Sequence, residues 1–361
     1  MSNFDEALER FHLGDLEYGG GLANHGPMGA EALERLGHQA LIPAFLGLYA
    51  PRLPPAAPGR AIDPGEAEQA LGVFSRAADW VATFEARLET GDWRQVVASE
   101  VPARWPGLFA GAGHGLLRTA HAVRALEGED SALRRRELAR GLAYWSARYQ
   151  RLPGRPGIGE RPWPSVLGEE RSGGAGDSSF WPLVGEPGAR VGLFFESVVR
   201  LDTFPAFTDA IERLARPDES DFSAFTSALA RLACRLYLAH PESRIAYVHA
   251  LTIPSAIRLL APYVTETEAC EGAVHAFQAM MAMHSMFGGG EGGSEPDPEV
   301  ERIAGDWNEI RYHAACSLQE HAIKMVEACW REDRIAPDPI LRRAAADAAL
   351  AIDARGRAPG C

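Results

Sequence analysis

Lysine is almost missing from this chain. Its 361 residues include 36 lysines and arginines together. Lys324 is the one lysine, so the remaining 35 are arginines. Arginine stays protonated in proteins, whereas a buried lysine can lose its proton and react as an amine. A general replacement of lysine by arginine does not account for the one position that kept the amine. Lys324 reads either as a leftover surface lysine or as a group retained for chemistry that arginine cannot do. Cysteine is also sparse. Cys234, Cys270, Cys316, Cys329 and Cys361 are odd in number, widely spaced and lack a Cys-x-x-Cys pair. This excludes a disulfide framework or a zinc site and predicts reduced thiols in a cytoplasmic protein. Basic clusters are limited to Arg134-Arg135-Arg136, and the net charge is −13. Nucleic acid and anionic membranes are therefore poor partners. No apolar run reaches 18 residues, and the N-terminus is acidic with no apolar segment, so neither a transmembrane helix nor a signal peptide is expected.

Period-2 alternation is scarce as well, which leaves few strands and turns attention to helical spacing. Glycine-rich Gly19-Gly20-Gly21 leads to His25 and Pro27, and Pro27 suits the first turn of a helix over about 28–36. Further helices are expected near 41–46, 66–89, 116–126, 133–149, 191–201, 207–214, 224–239, 245–260 and 266–287. A last long helix is expected over 299–332, followed by a tail, 337–361, with one more helix and disordered final residues. Proline and glycine dominate 151–190 and glycine dominates 288–296, which read as loops or lids over a site. Together these predict an all-α protein forming one large helical domain over residues 1–361.

Several common catalytic signatures are missing. There is no G-x-S-x-G elbow, no P-loop and no His-Glu-x-x-His. Gly111-Ala-Gly-His-Gly-Leu116 fails as a dinucleotide fingerprint, because Leu116 occupies the third glycine position and no strand precedes it. The run Met280-Met281-Ala-Met283 reads as core, or as the wall of a cavity for a flat apolar ligand. Histidines are the more informative residues. His25 precedes a helix start, His114 follows a Gly-Ala-Gly turn, and His249 lies in an apolar helix. His321 and Lys324 are three residues apart and share a helical face. Facing helices can bring such groups together at one metal site. On a straight helix, however, Leu318, Ala322, Met325, Val326 and Cys329 form the apolar side. His313, Ser317, Glu320, Lys324 and Arg331 fall opposite, with His321 at the boundary. That polar stripe reads either as solvated or as facing an internal site.

Four segments resemble the questin oxidase-like family: Gly21-Leu-Ala-Asn-His25-Gly-Pro-Met28, His114 to Leu126, His249-Ala-Leu-Thr-Ile-Pro-Ser-Ala256 and Glu320-His-Ala-Ile-Lys324. The resemblance spans roughly residues 12–335. It implies an oxidoreductase that opens rings of anthraquinones and related polyketides with O2, in some members by Baeyer–Villiger-type chemistry. It also implies a non-haem Fe(II) centre held by four histidines and a carboxylated lysine. By motif these are His25, His114, His249, His321 and Lys324, with His321 and Lys324 central to catalysis. One position departs from the pattern. Fungal members often carry a second histidine where this chain has Arg118, which leaves His121 as a substitute ligand. A lysine reacts with CO2 only as the neutral amine, so burial must lower its pKa. The carbamate then supplies an anionic oxygen beside neutral imidazoles, a set suited to Fe(II) with a position open for O2. Two other readings stay open: an NADPH-supported Baeyer–Villiger-type oxidase, and a non-catalytic helical protein that binds aromatic metabolites.

Overall fold

The computed structural model describes residues 2–168, 192–288 and 297–352. Most of the expected lid (169–190), the glycine-rich loop 289–296 and the final residues 353–361 lie outside the described residues. The fold is all-α, with a single two-residue hairpin among the described residues. That hairpin pairs Glu17–Tyr18 (β1) with Leu22–Ala23 (β2). Gly19, Gly20 and Gly21 make the turn at φ 57°, 86° and 125°, a region that side chains with a Cβ rarely adopt.

The longer helices are α1 (Asn3–Phe11), α2 (Gly26–Arg35), α3 (Ile42–Tyr49), α4 (Ala77–Thr90), α5 (Trp93–Arg104), α6 (His114–Gly128) and α7 (Ala132–Ala147). They continue with α8 (Phe222–Ala239), α9 (Arg244–Leu260), α10 (Glu266–Phe287), α11 (Trp307–Ser317), α12 (Glu320–Ile335) and α13 (Pro339–Ala351). Most expected helices appear close to their expected bounds, but the expected helix over 191–201 is only a short turn of helix, Phe194–Ser197, followed by a 3-10 stretch, Val198–Thr203. Three further differences stand out. The 66–89 span is interrupted near Gly72, whose φ of 76° breaks a right-handed helix. The periodicity leaves α5 unassigned, although Asp92 caps it by accepting from the Arg94 N–H at 3.0 Å.

The third difference matters most. The expected helix over 299–332 is three pieces, Pro298–Ile303, α11 and α12. Asp306 caps α11, and Leu318 ends it in the left-handed region at φ 52°. The chain therefore re-enters a helix at Glu320 in a new register. His313 and Ser317 do not continue the face that carries Glu320 and Lys324.

Four of these helices pack in a closed circuit: α2 on α6, α6 on α9, α9 on α12, and α12 on α2. The approach of α6 to its outer neighbour α7 is close, because a Cβ at Gly115 would lie 2.5 Å from the Trp145 Cα. The α9 segment 241–263 is long and apolar enough to cross a membrane, but most of it is packed inside the protein. Leu251, Ile253 and Ile257 fill the core there, and a polar seam crosses it.

That seam is anchored on α12. Glu327 accepts from Arg124 of α6, and Arg124 also donates to Glu31 of α2 through Nε at 2.8 Å. His121 joins at Glu31 through Nδ1 at 2.7 Å. One turn on, Glu332 accepts from Ser255 Oγ of α9 at 2.6 Å and pairs with Arg258 Nε at 2.9 Å. Glu31, Arg124, Glu327 and Glu332 are all buried. Burial raises the cost of ionising Glu327, but Arg124 and Arg331 outweigh it and hold its carboxyl at about 2. Replacing Arg124 by Met would leave two buried carboxylates without their shared cation. We expect it to cost about 3–5 kcal/mol of unfolding free energy, read as a lower urea midpoint with an unchanged slope. Arg35→Met removes a more exposed partner of Glu31 and is expected to cost less than about 1 kcal/mol.

Candidate metal centre

His25, His114, His249 and His321 meet at the N-terminal ends of α2, α6 and α12 and near the start of α9. His25 is the residue before α2. Tyr49 fixes its backbone: the Tyr49 hydroxyl accepts the His25 N–H at 2.7 Å. His114 opens α6 directly after Gly111, Ala112 and Gly113, which lie at φ 53°, 60° and 84°. Three successive left-handed residues are costly for any that carries a Cβ. They curl the chain so that the Gly111 carbonyl accepts from His114 Nδ1. The Gly-Ala-Gly signal therefore aims an imidazole and cradles no phosphate. On α9, His249 Nδ1 donates to the Ile245 carbonyl at 2.7 Å.

These backbone contacts decide where the protons are. A carbonyl oxygen only accepts, so Nδ1 of His114 and of His249 carries the hydrogen. Each Nε2 then presents a bare lone pair. The two Nε2 atoms are 3.0 Å apart, and His25 Nε2 is 2.5 Å from that of His114. A hydrogen on His25 can serve one of these pairs, but two lone pairs still oppose each other. Two nitrogens bound at right angles to a cation at ~2.1 Å are themselves ~3.0 Å apart. The donor set thus fits a divalent cation, and the contact is repulsive without one.

Electrostatics keeps the rings neutral. Burial holds His25 and His114 well below the ordinary histidine range, reinforced first by Lys324 at His25 and first by the His25 and His249 rings at His114. Burial and Lys324 lower His249 to about 3. His321 is likewise well below, by burial first and then His25 and Lys324. The ring of His321 stands edge-on to that of His25, with centroids 4.8 Å apart. Glu320 and His321 also form a group with His25 whose ligand-type atoms lie within 4.8 Å of one another.

Lys324 is buried at 1 % exposure, and its Nζ has no hydrogen-bond partner among the described residues. Burial lowers its pKa to about 8, against the opposing pull of Glu320. Of the expected polar stripe, Glu320 and Lys324 on α12 are buried, and Arg331 is partly buried with its guanidinium on Glu327 and the Ser255 carbonyl, so this part of the stripe faces the interior. Arg118 and His121 lie on the same helix as His114, one and two turns further along, but both are engaged elsewhere. His121 is committed to Glu31, and Arg118 to Glu137 of α7 at 2.6 and 2.9 Å. Neither convergent donor group among the described residues includes His121.

A cavity of about 470 Å³ opens on His25, His114, His249 and His321. Tyr18, Leu22, Leu193, Phe194, Phe195 and Ile245 supply its apolar walls, and Arg52, Gln319 and Glu320 its polar ones. Phe194 stands edge-on to His249 at 5.6 Å. Met280, Met281 and Met283 are buried core residues outside this lining. Sequence reasoning missed Tyr49, Arg52 and the place of Glu320 beside His25 and His321. Only Glu320 had a local signal, its place beside His321. No family model matches the chain, and a search of curated proteins finds no match.

The buried amine has a measurable consequence. Its folded pKa of about 8 lies below the unfolded value of 10.5. The unfolded state therefore binds more protons between these two pH values, and stability rises with pH across that window. In metal-stripped, CO2-free protein, Lys324→Met is expected to be more stable than the parent by about 3 kcal/mol at pH 7. The difference should shrink towards zero as the pH approaches 10.5. A constant difference across this range in urea titrations would show that the amine is not held in a desolvated site.

Proposed function

We propose that this protein is a non-haem Fe(II)-dependent oxygenase of the questin oxidase-like kind. The reading is that oxygen from O2 enters a polycyclic aromatic polyketide or quinone and a ring C–C bond is cleaved. The observation that carries it is the meeting of the bare Nε2 atoms of His114 and His249 with Nε2 of His25, beside a buried lysine whose Nζ has no hydrogen-bond partner among the described residues. His25, His114, His249 and His321 would hold the metal, with a carbamate oxygen on Lys324 as the anionic ligand. Bound there, Fe(II) would supply the one-electron chemistry that lets O2 react with an organic ring.

The chain's own residues do the rest. Burial leaves the four imidazoles neutral, so the metal does not compete with protons for them at pH 7. At a pKa of about 8, roughly a tenth of the Lys324 amine is neutral at pH 7. An ordinary lysine has less than about a thousandth in that form, so burial makes reaction with CO2 accessible. The carbamate forms as the amine nitrogen attacks the CO2 carbon and gives up one proton. The apolar walls at Leu22, Leu193, Phe194, Phe195 and Ile245 suit a flat aromatic ligand and keep bulk water off the reacting face.

Protein purified without chelators should contain near-stoichiometric iron, and His321→Ala should lose it. Lys324→Arg keeps the charge but cannot form a carbamate, and should lose both iron and O2-dependent turnover of an anthraquinone substrate. Lys324→Ala should regain iron on addition of a small carboxylate such as acetate. An iron-replete, active Lys324→Arg protein would refute the carbamate. Turnover that needs NADPH and incorporates one atom from labelled O2 would favour the Baeyer–Villiger-type reading. Ligand binding without O2 consumption would favour a binding protein.

A further inference from the structure

Each metal-facing imidazole needs something behind it to keep its ring turned the right way. His114 and His249 have backbone carbonyls there, from Gly111 and Ile245. Among the described residues, His25 and His321 have no such carbonyl. Behind both lies the same carboxylate. Glu320 Oε1 is 3.8 Å from His25 Nδ1 and 4.0 Å from His321 Nδ1. We infer that Glu320 is a positioning residue that serves two metal-facing histidines at once, accepting from the Nδ1–H of His25 and of His321 so that both Nε2 atoms face the centre. This rests on the metal-centre reading given above.

The geometry favours this role over direct ligation. His25 Nε2 is committed to the side shared with His114, at 2.5 Å. Its Nδ1, across the ring, is the atom nearest Glu320. A cation held by His25 Nε2 therefore sits on the far side of the ring from this carboxylate. The second donor group, His25 with Glu320 and His321, then reads as the support of one centre, not as another metal site. Glu320 is buried, and its Oε2 has no hydrogen-bond partner among the described residues. His25 Nδ1 is likewise buried without one. Both Nδ1 atoms thus lie about an ångström farther from Oε1 than a hydrogen bond requires, and Oε2 is free to accept from one of them. Arg52 Nη1 approaches the same Oε1 from the cavity side at 3.9 Å and offsets its charge. Such carboxylate supports behind histidine ligands typically change metal affinity by about 10–100-fold when removed.

The test is metal affinity measured by competition with a chromophoric chelator, using Co(II) as the probe, alongside its visible absorption spectrum. Glu320→Ala should weaken Co(II) binding about 10–100-fold and alter the ligand-field bands, because two rings lose their orientation. Glu320→Gln keeps one acceptor oxygen and should recover part of that loss. Metal-free unfolding midpoints of the variants and the parent control for simple misfolding. Parent-like affinity and spectrum in Glu320→Ala would overturn the inference. So would Glu320→Gln losing Co(II) as completely as His321→Ala, since that marks a direct ligand. Absence of Co(II) binding in the parent protein would instead defeat the metal-centre reading itself, and the two failures are separable.

Discussion

The arrangement depends on one buried charge seam along α12. Glu327 and Glu332 are held in the interior by Arg124 and Arg258, and through them α12 is tied to α6, α2 and α9. These are the four helices that present His25, His114, His249 and His321. Burying ion pairs costs desolvation on both partners, and the same volume could be filled by apolar side chains at little loss of stability. The seam instead contributes direction. A carboxylate shared by guanidinium groups fixes rotation and register where apolar packing would tolerate sliding, and metal-type geometry fails with errors near an ångström.

The same burial that makes the seam costly prepares the centre. Desolvation lowers every imidazole of the cluster and the one amine together, so four neutral imidazoles and a partly neutral lysine coexist near neutral pH. Mutual repulsion among these groups adds to the effect, since each protonation would place charge beside another basic nitrogen. The site is therefore unfavourable when empty of positive charge at its centre and unfavourable when protonated. A divalent cation would relieve both conditions at once, since metal binding and folding are coupled at sites that form only in the folded chain.

Much of this was legible in the sequence, and the illegible part has identifiable causes. Helical spacing located α8, α9 and α10, because their apolar faces are long and uninterrupted. The histidines stood out through their settings: a Gly-Ala-Gly turn before His114, a Pro27 helix start after His25, and the lone amine three residues after His321. Spacing could not show that Leu318 reverses the chain into the left-handed region and resets the face of α12. Nor could it show that Glu320, Lys324 and Glu327 are covered, because a polar stripe reads the same whether it meets water or arginines from other helices. His121 was a plausible substitute on helix geometry alone. Only its pairing with Glu31, a residue 90 positions away, removes it from the cluster.

The retained lysine illustrates how one position resists a chain-wide substitution. At an exposed site, arginine and lysine differ little in stability, so drift towards arginine meets no obstacle. At position 324 the side chain is buried, and its Nζ finds no acceptor among the described residues. A guanidinium there would keep its charge at any accessible pH and would need acceptors for five N–H groups that the site does not provide. An amine can shed its proton and lose the penalty. The constraint on Lys324 is therefore already present in the burial of the site, before any ligand is considered. Reaction with CO2 would then turn a poorly solvated base into an anionic donor facing neutral imidazoles.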